Sequence, residues 1–471
     1  MLVLPSAAEP LVHRIQTVFT RPSFERFVLI CVGAIVTFGR RSVSRILWTL
    51  GSAAKGHASS YHRLFSRAQW SLWPLAYVLA SAVLERVPSD QPVECAVDDH
   101  LIEHYGERVY GKGRHRSAAG STRGMLTWGH RWVTLAVLVK LPFCSRCWAL
   151  PILCALYRDG KTDQQEKRRH KTPCYLARQL LATLLHWFPD RRFVVLGDGG
   201  FAAHDFAGFA VRHRRRLTLI ARARSDMNLH VLPGPHTPCR QTLYRRRKYN
   251  LRPRCRKGRK LASPQKTVAA ARAGGRTLPT QVLQWYGQGH KPIQIFSACG
   301  GWYHAYGNGT AALLPLRWVY TCDPQKPKLQ RKREDWFFCT DPSFSAAQIV
   351  QSFAKRWSIE VTFEELHGHL GIHTTRQRCR RSVLRTVPWL MGLFSAVCLI
   401  FAQLWEQPSG RSLHHTPCYH KPEATFADAL YAVRRSLWDS CLMKSLLGAQ
   451  QMTRLPASVK RKLITYLAEA A

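Results

Sequence analysis

The chain has 471 residues, of which 46% are apolar, and this length and composition exclude a disordered chain and favour two to four domains with buried cores. Its 70 lysines and arginines against 28 acids leave a formal charge of +42. Because so many like charges repel one another, we expect a polyanionic partner, with nucleic acid first and a membrane surface as the alternative.

Residues 1–90 are predicted to form a helical DNA-binding domain, because apolar residues recur at helical spacing and glycines separate the runs. The third and fourth predicted helices have the proportions of a helix-turn-helix, with Ser59 or Ser60 as N-cap and Arg63 exposed to DNA. An ordinary basic helical bundle is the alternative. The predicted helices are Pro10 to Thr20, Phe24 to Phe38, Val43 to Leu50, Ser59 to Arg67 and Leu72 to Val87.

Residues 91–224 alternate short apolar runs with helical ones, and this alternation predicts an α/β core. The apolar runs are of the buried type, which requires that both faces of the sheet be covered. Strands are predicted at Glu94 to Asp98, Trp132 to Val139 and Phe193 to Leu196, and helical segments at Pro151 to Tyr157 and Pro173 to His186.

Residues 225–317 are predicted to form a basic, β-rich insertion. No acid occurs from Met227 to Cys322, and most positions from Tyr244 to Lys260 are cationic. Aromatic residues such as Trp302 are interleaved with the cations, which favours contact with nucleic acid over a solvated charge run. The cations expected to bind DNA are Arg245, Arg246, Arg247 and Lys248.

Residues 318–405 return to the α/β core, with strands predicted at Trp318 to Cys322 and Asp335 to Cys339. Ser345 is predicted to cap a long helix through Gly368. The apolar run Val387 to Trp405 is long enough to span a bilayer, but proline, glycine and polar residues interrupt it, so we expect a core helix and no membrane partner. Residues 406–471 are predicted to be a helical C-terminal region.

The fifteen cysteines are scattered, and the first ten residues lack the basic start and long apolar core of a secretory signal, so reduced thiols are expected. Cys144 and Cys147 form a Cys-x-x-Cys pair. A second pair at zinc-finger spacing does not follow it, and buried thiols are therefore favoured over a metal site.

Acids are scarce in this chain, and three of them follow predicted strands. Asp98 and Asp99 end the Glu94 strand, and Asp198 follows the Phe193 strand. Sites in α/β sheets gather outside the carboxyl ends of the strands, so acids from two strands could converge there. A helix cap or a surface ion pair is the alternative for any single acid.

The long predicted helix offers a third carboxylate. At 100° per residue, Arg356, Glu360 and His367 share one face. Together with Asp98 and Asp198, Glu360 would complete a set of hard oxygen ligands for Mg²⁺ or Mn²⁺. Two such ions are suited to in-line phosphoryl transfer, and Arg356 would neutralise the phosphate beside them.

The run Phe353 to His367 resembles the tyrosine, arginine, glutamate and lysine signature of the DDE-type transposases of bacterial insertion sequences. Arg356 and Glu360 match the signature, Phe353 stands for the tyrosine, and His367 replaces the lysine. The resemblance implies that Arg356 and His367 act on the scissile DNA backbone.

The two aspartate motifs also resemble that family. The sequence VVLGDGGF is similar to the strand that carries its second acid, which implies Asp198. The sequence AVDDH is similar to the strand of the first acid, with Asp98 as that acid and His100 at the hydroxyl position. Asp99 is the alternative first acid.

The resemblance implies an RNase H-like catalytic core in two parts, residues 91–224 and 318–405, separated by the β-rich insertion. Trp302 of the insertion would help to hold distorted end nucleotides, with a core aromatic as the alternative. The implied activity is binding of terminal inverted repeats, cleavage with two Mg²⁺ or Mn²⁺ ions, and strand transfer to target DNA by a homodimer on paired ends. The cytoplasm of a bacterium, at the nucleoid, is the expected location. An inactive transposase-derived repressor and a structure-selective nuclease are the alternatives.

Overall fold

The computed structural model describes residues 4–116, 126–233, 257–284, 289–306, 311–326, 333–407, 413, 421–442 and 456–469. The chain divides into two compact units. Unit 1 comprises Met1–Pro88, Asp99–Lys171 and Ser358–Ala471, and unit 2 comprises Ser89–Asp98 and Thr172–Trp357. The division of the sequence into five segments stays a prediction.

Unit 1 opens with five helices that begin and end within a few residues of their predicted positions. The N-cap predicted for the fourth helix is wrong, because His57 caps it and its Nδ1 accepts a hydrogen bond from the Ser59 N–H at 3.2 Å. The helices are α1 (Glu9–Gln16), α2 (Arg21–Val36), α3 (Val43–Leu50), α4 (Ala58–Ser66) and α5 (Leu72–Leu84).

Four strands follow: β1 (Val93–Glu103), β2 (Gly113–Arg116), β3 (Leu126–Lys140) and β4 (Cys147–Tyr157). Strand β3 pairs antiparallel with β2 and β4, and the second half of β1 lies beside it. The helix predicted from Pro151 is wrong, since these residues form β4. The register shifts between Leu135 and Ala136, opposite Pro151, and proline is tolerated in a strand at such an irregularity.

Unit 1 also contains the helices α6 (Gly160–Gln165), α11 (Trp357–His369), α12 (Arg380–Glu406), α13 (Phe426–Leu437) and α14 (Ala457–Glu469). Helix α12 contains the apolar run Val387 to Trp405, and by length and composition it could cross a membrane. However, 72% of its most apolar window is buried in the protein. It packs against α5, α13 and β4, as a core helix does.

A buried arginine joins α12 to the end of α4. The guanidinium of Arg385 donates hydrogen bonds to the carbonyls of Leu64, Phe65 and Ala68 at 3.0–3.3 Å and to that of Trp70. Burial lowers the pKa of Arg385 to about 10, still well above neutrality, so the group stays charged. Backbone carbonyls, rather than a carboxylate, therefore solvate this cation.

Unit 2 contains α7 (Pro173–Trp187), β5 (Phe193–Gly197), α8 (His204–Arg212), β6 (Leu217–Arg222), β7 (Leu229–His230), α9 (Pro264–Ala273), β8 (Thr280–Gln284), β9 (His290–Ala305), β10 (Ala311–Cys322), β11 (Glu334–Cys339) and α10 (Ala346–Lys355). Its sheet has the order β1-β5-β6-β11-β10-β9-β7, with β8 beside β9. The pairs among β1, β5 and β6 are parallel, and the others are antiparallel. This mixed α/β fold with flanking helices is the predicted fold class.

The long helix predicted after Ser345 is interrupted at one residue. Ser345 and Gln348 form a capping box at the start of α10, as the cap prediction requires. Helix α10 ends at Lys355, and α11 (Trp357–His369) begins after Arg356. The N–H of Arg356 bonds the Phe353 carbonyl three residues back at 3.0 Å, so the helix is tightened there. The prediction of a single uninterrupted helix is therefore wrong.

Three histidines, His100 on β1, His104 directly after β1 and His130 on β3, are largely buried in unit 1. Burial lowers the pKa of His100 and His104 to about 4 and that of His130 to about 3. The ring centroids of His104 and His130 lie 4.3 Å apart, so a charge on one ring also disfavours a charge on the other. At neutral pH all three rings are therefore uncharged.

We predict that the protein loses stability as the pH falls from about 6.5 toward 4, because the unfolded chain takes up protons that the folded chain does not. The replacement His130→Gln keeps a donor for the Tyr110 carbonyl, which lies 2.8 Å from His130 Nε2, and removes one titrating group. The loss of unfolding free energy between pH 7.5 and pH 5, measured by urea denaturation, should shrink by about 2 kcal/mol. An unchanged pH dependence would contradict the lowered pKa.

Candidate active site

The ends of two parallel strands bring two aspartates together in unit 2. Strands β1 and β5 pair from Val93 opposite Phe193 to Val97 opposite Gly197. Asp98 and Asp198 are the next residue in each case, so both lie at the carboxyl edge of neighbouring strands, whose backbones are about 4.8 Å apart. Both residues are half-buried. The strand-end rule that singled them out in the sequence therefore describes their positions.

The loop after β5 shows why this sequence is rich in glycine. Asp198 caps the short turn Gly199–Phe201, and its Oδ1 accepts a hydrogen bond from the Gly200 N–H at 2.8 Å. A Cβ on Gly197 would lie 2.9 Å from the Phe201 Cβ, and one on Gly200 would lie 3.1 Å from the Asp198 carboxylate. The absence of side chains at these positions allows the chain to turn closely around the carboxylate.

Asp98 is held by a largely buried arginine. Arg356 Nη1 donates a hydrogen bond to Asp98 Oδ2 at 2.7 Å, and the two side chains are only 8% and 15% exposed. Arg356 thus neutralises Asp98 within unit 2. Phe353, at the position of the family's tyrosine, is buried against Phe337, with ring centroids 4.7 Å apart, so it supports this region by packing.

A second ion pair lies beside the first, and the sequence analysis missed it. Lys355 Nζ lies 2.6 Å from Glu94 Oε2, and the Ser352 hydroxyl donates to Glu94 Oε1 at 3.0 Å. Residues 94 and 98 of a strand point to the same face, and two consecutive cations, Lys355 and Arg356, meet them. Two acids four residues apart, together with two consecutive cations elsewhere in the chain, were the sequence signal that could have indicated these ion pairs.

Asp99 has a different partner from Asp98. Its Oδ2 lies 3.0 Å from Arg131 Nε within unit 1, and its side chain is 25% exposed. Successive side chains of a strand point to opposite faces, so the two aspartates cannot occupy the same site. Asp98 is the one that shares unit 2 with Asp198.

The other residues of the predicted site lie on α11 and the second half of β1, in unit 1. Glu360 is half-buried, and His367 is exposed but stacks on His373 with ring centroids 3.8 Å apart. The ring of His100 stacks on Phe363 at 4.7 Å. Burial, together with the charge of His367, lowers the pKa of His100, so this residue contributes a neutral ring where the resemblance implied a hydroxyl.

The predicted shared face of Arg356, Glu360 and His367 is divided by the break in the helix. Arg356 lies outside α11 and pairs with Asp98 in unit 2, whereas Glu360 and His367 belong to unit 1. The role of these three residues at one phosphate stays a prediction.

The chemistry of the side-chain donors decides which metal ion the aspartates could hold. Within the described ranges, no group of three or more His, Cys, Asp or Glu side chains could hold a metal ion. The oxygens of Asp98 and Asp198 are the hard donors that Mg²⁺ and Mn²⁺ prefer. These two residues therefore fit such an ion in chemical type, and a third donor has to come from elsewhere.

Of the residues predicted to bind DNA, Arg245, Arg246, Arg247 and Lys248 lie outside the described part of the chain. Trp302 lies on β9 and is half-buried, with its ring 4.8 Å from that of His204 and 5.5 Å from that of Phe338. Its packing is that of an aromatic residue at the edge of a core, which is the alternative that the sequence left open.

Arg63 is exposed on α4 and lines a surface cleft of about 360 Å³. Arg26 of α2 and Arg67 line the same cleft, together with the hydroxyl residues Ser23 and Ser60. None of the described residues that line it is acidic. Arginines and hydroxyls without a nearby carboxylate are suited to DNA phosphates. The contribution of Arg26 was not visible in the sequence, because it lies on a different helix.

Comparisons with known proteins place the chain in a family. The family described as DDE superfamily endonuclease matches residues 14–292, a range that includes Asp98 and Asp198 but ends before Glu360. No curated protein matches the chain. Among solved structures, the chain is similar to a piggyBac transposase in a synaptic complex with hairpin DNA, with 11% identity over 98% of this chain and 80% of that one and a TM-score of 0.40.

The largely buried pair of Asp98 and Arg356 should be strongly coupled. We predict that Arg356→Met lowers the unfolding free energy by about 3 kcal/mol, because it leaves a shielded carboxylate without its cation. The double variant Arg356→Met/Asp98→Leu should recover most of that loss. Guanidinium denaturation of the four proteins of this double-mutant cycle measures the coupling, and strictly additive effects would contradict a direct ion pair.

Proposed function

The chain belongs to the family of DDE superfamily endonucleases, and we propose that within it this protein is a DNA transposase of a bacterial insertion sequence. It binds the terminal inverted repeats of its element, cleaves the DNA ends and joins them to target DNA. The observation that carries the proposal is the register that sets Asp98 beside Asp198 within the matched region. Both acids are present, which favours an enzyme over an inactive repressor.

Glu360 is proposed as the third acid. Its support is the resemblance of the run Phe353 to His367 to the family's arginine and glutamate signature, in which Arg356 and Glu360 match.

Asp98, Asp198 and Glu360 would hold Mg²⁺ or Mn²⁺. When bound, a pair of such ions stabilises the attacking and leaving oxygens of an in-line displacement. Arg356 holds the Asp98 carboxylate in position beforehand, through the hydrogen bond that its Nη1 donates to Oδ2 at 2.7 Å. His367 is proposed to contact the DNA backbone beside Glu360, in the position of the family's lysine.

The DNA partner is supported by the charge of +42 and by the acid-free cleft that Arg63 lines. A basic surface of this kind binds duplex DNA largely through phosphates, with little regard to sequence. Recognition of the inverted repeats is assigned to α3 and α4, whose order and lengths suit a helix-turn-helix. Pairing two ends of one element calls for two copies of the chain, so a homodimer is proposed.

We predict that Asp198→Asn abolishes cleavage of the element's end DNA in the presence of Mg²⁺ and leaves DNA binding unchanged, because it removes a metal-binding charge and no cation. Asp98→Asn should behave in the same way, whereas Asp99→Asn should retain cleavage. Gel analysis of labelled end DNA measures the products, and filter binding measures the affinity.

The matched control is Asp226→Asn, which removes an exposed carboxylate of unit 2 that is bound to Arg224. It should cleave as the wild type does. Cleavage retained by Asp198→Asn would contradict the site, and cleavage lost only in Asp99→Asn would make Asp99 the first acid. Cleavage of DNA that lacks the inverted repeats, at an equal rate, would indicate a structure-selective nuclease.

The surface cleft lined by Arg26, Arg63 and Arg67 should contribute to the salt dependence of DNA binding. Replacing Arg26, Arg63 and Arg67 together by Gln should lower the slope of log affinity against log salt by about two to three, because each phosphate contact contributes roughly 0.9. The control is Arg224→Gln, which removes an exposed arginine that Asp226 already neutralises. Titrations of duplex DNA at several salt concentrations give the slopes. Equal slopes for the triple variant and the wild type would exclude the cleft from the DNA interface.

A further inference from the structure

One face of the antiparallel pair β2–β3 carries an exposed tryptophan among cations. Trp128 is 50% exposed and lies directly opposite Arg114, and the exposed Leu126 lies opposite Arg116. The Arg114 guanidinium is 5.8 Å from the centre of the Trp128 ring, and Lys112 Nζ is 5.0 Å from it. These five side chains, which we call the hairpin face, combine a flat aromatic surface with three positive charges.

The opposite face of the same two strands is buried, which fixes the orientation of the hairpin face. Gly113, His115 and Gly129 alternate with the exposed residues and are buried. A Cβ on Gly129 would lie 2.3 Å from the carbonyl oxygen of Ile102, so only glycine permits this approach to β1. Because a slip by one residue would place Gly129 outside and Trp128 inside, the register holds Trp128 in solvent.

The charge around Trp128 indicates the class of partner. Neither Arg114 nor Arg116 forms an ion pair with any residue in the described ranges, and both are exposed. Three cations that surround an exposed ring would repel a partner unless it is anionic, so the face is complementary to a polyanion. An aromatic ring with basic neighbours is the arrangement that stacks on a base while cations hold the flanking phosphates.

We propose that the hairpin face binds single-stranded DNA, with one unpaired base stacked on Trp128 and the adjacent phosphates held by Lys112, Arg114 and Arg116. The faces of bases in a duplex are covered by their neighbours, so a ring that stacks on a base selects an unpaired strand. This inference deepens the proposed function and rests on its DNA partner. It assigns the separated strand at a cleaved or opened DNA end to a surface on β2 and β3.

The test is a comparison of affinities of the full chain for a labelled single-stranded oligonucleotide and for the matching duplex. Trp128→Ala should weaken single-strand binding by about 5- to 100-fold, the range that stacking of one base on an aromatic ring provides, and leave duplex binding within about twofold. Trp128→Phe should retain most of the single-strand affinity. Arg114→Gln/Arg116→Gln should lower the salt slope for the single strand by up to about 1.4.

The matched control is Tyr466→Ala, which removes an aromatic side chain of α14 that is 71% exposed. It should bind both DNAs as the wild type does. Circular dichroism and thermal unfolding show whether each variant is folded. If Trp128→Ala does not fold, Trp128→Phe, which is the smaller change, still provides a folded variant for the test. An equal loss on single-strand and duplex DNA, or no loss, would overturn the proposal.

Two further outcomes separate this inference from the function it rests on. If the wild type cleaves end DNA but Trp128→Ala binds single strands normally, the inference fails and the proposed function stands. If single-strand binding depends on Trp128 but no end DNA is cleaved, the inference stands and the proposed function fails. A change in sedimentation of Trp128→Ala without a change in single-strand binding would make the face a protein interface and overturn the proposal.

Discussion

The parallel pairing of β1 with β5 is the constraint on which the candidate chemistry depends. Main-chain hydrogen bonds set the register, and Val97 opposite Gly197 is its last pair. The two aspartates follow directly, so their positions are determined by the backbone and not by flexible side chains. The glycines around Asp198 then allow a tight turn where a bulkier residue would push the chain away from the strand edge.

Two carboxylates on adjacent strands oppose each other electrostatically. Arg356 neutralises Asp98, and Lys355 does the same for Glu94. The last residue of α10 and the residue after it thus supply two cations that bind two acids of β1 within unit 2.

The sequence predicted those parts of the fold that local patterns determine. The N-terminal helices follow from apolar spacing and from glycines between them, and the buried strand before Asp198 follows from an apolar run that a glycine ends. Strand β4 was predicted as a helix because a short apolar run that contains Pro151 fits either a helix or a strand. The pairing with β3 decides between the two, and it joins segments that are distant in the sequence. The break at Arg356 was invisible for a similar reason, since residues on both sides have helical patterns.

The candidate site, like the fold, was predictable from the sequence only where local patterns determine it. The strand-end rule singles out Asp98 and Asp198 from the sequence, whereas the role of Glu360 comes from a family resemblance. The Arg26 side of the cleft and the Glu94 ion pair required the tertiary structure, because their partners lie on distant segments. Trp128 was not singled out either, since a tryptophan in a strand pattern usually indicates a core residue. Its exposure in the folded structure identifies it.

The carbonyl cage around Arg385 bears on how DNA specificity can change in this protein. The cage is formed by main-chain atoms of residues 64–70 and by the ring of Trp70, whose centre lies 4.3 Å from the guanidinium, so it places no demand on the side chains of α3. It does require the end of α4 to keep its path over α12. The outward-facing residues of α3 and α4 can therefore vary freely between related elements, while an insertion or deletion between residues 64 and 70 would dislodge a buried cation. Under the proposal that α3 and α4 recognise the DNA ends, diversification of that recognition is confined to substitutions, and a helix pair transplanted from a relative must bring its own stretch of backbone to meet this arginine.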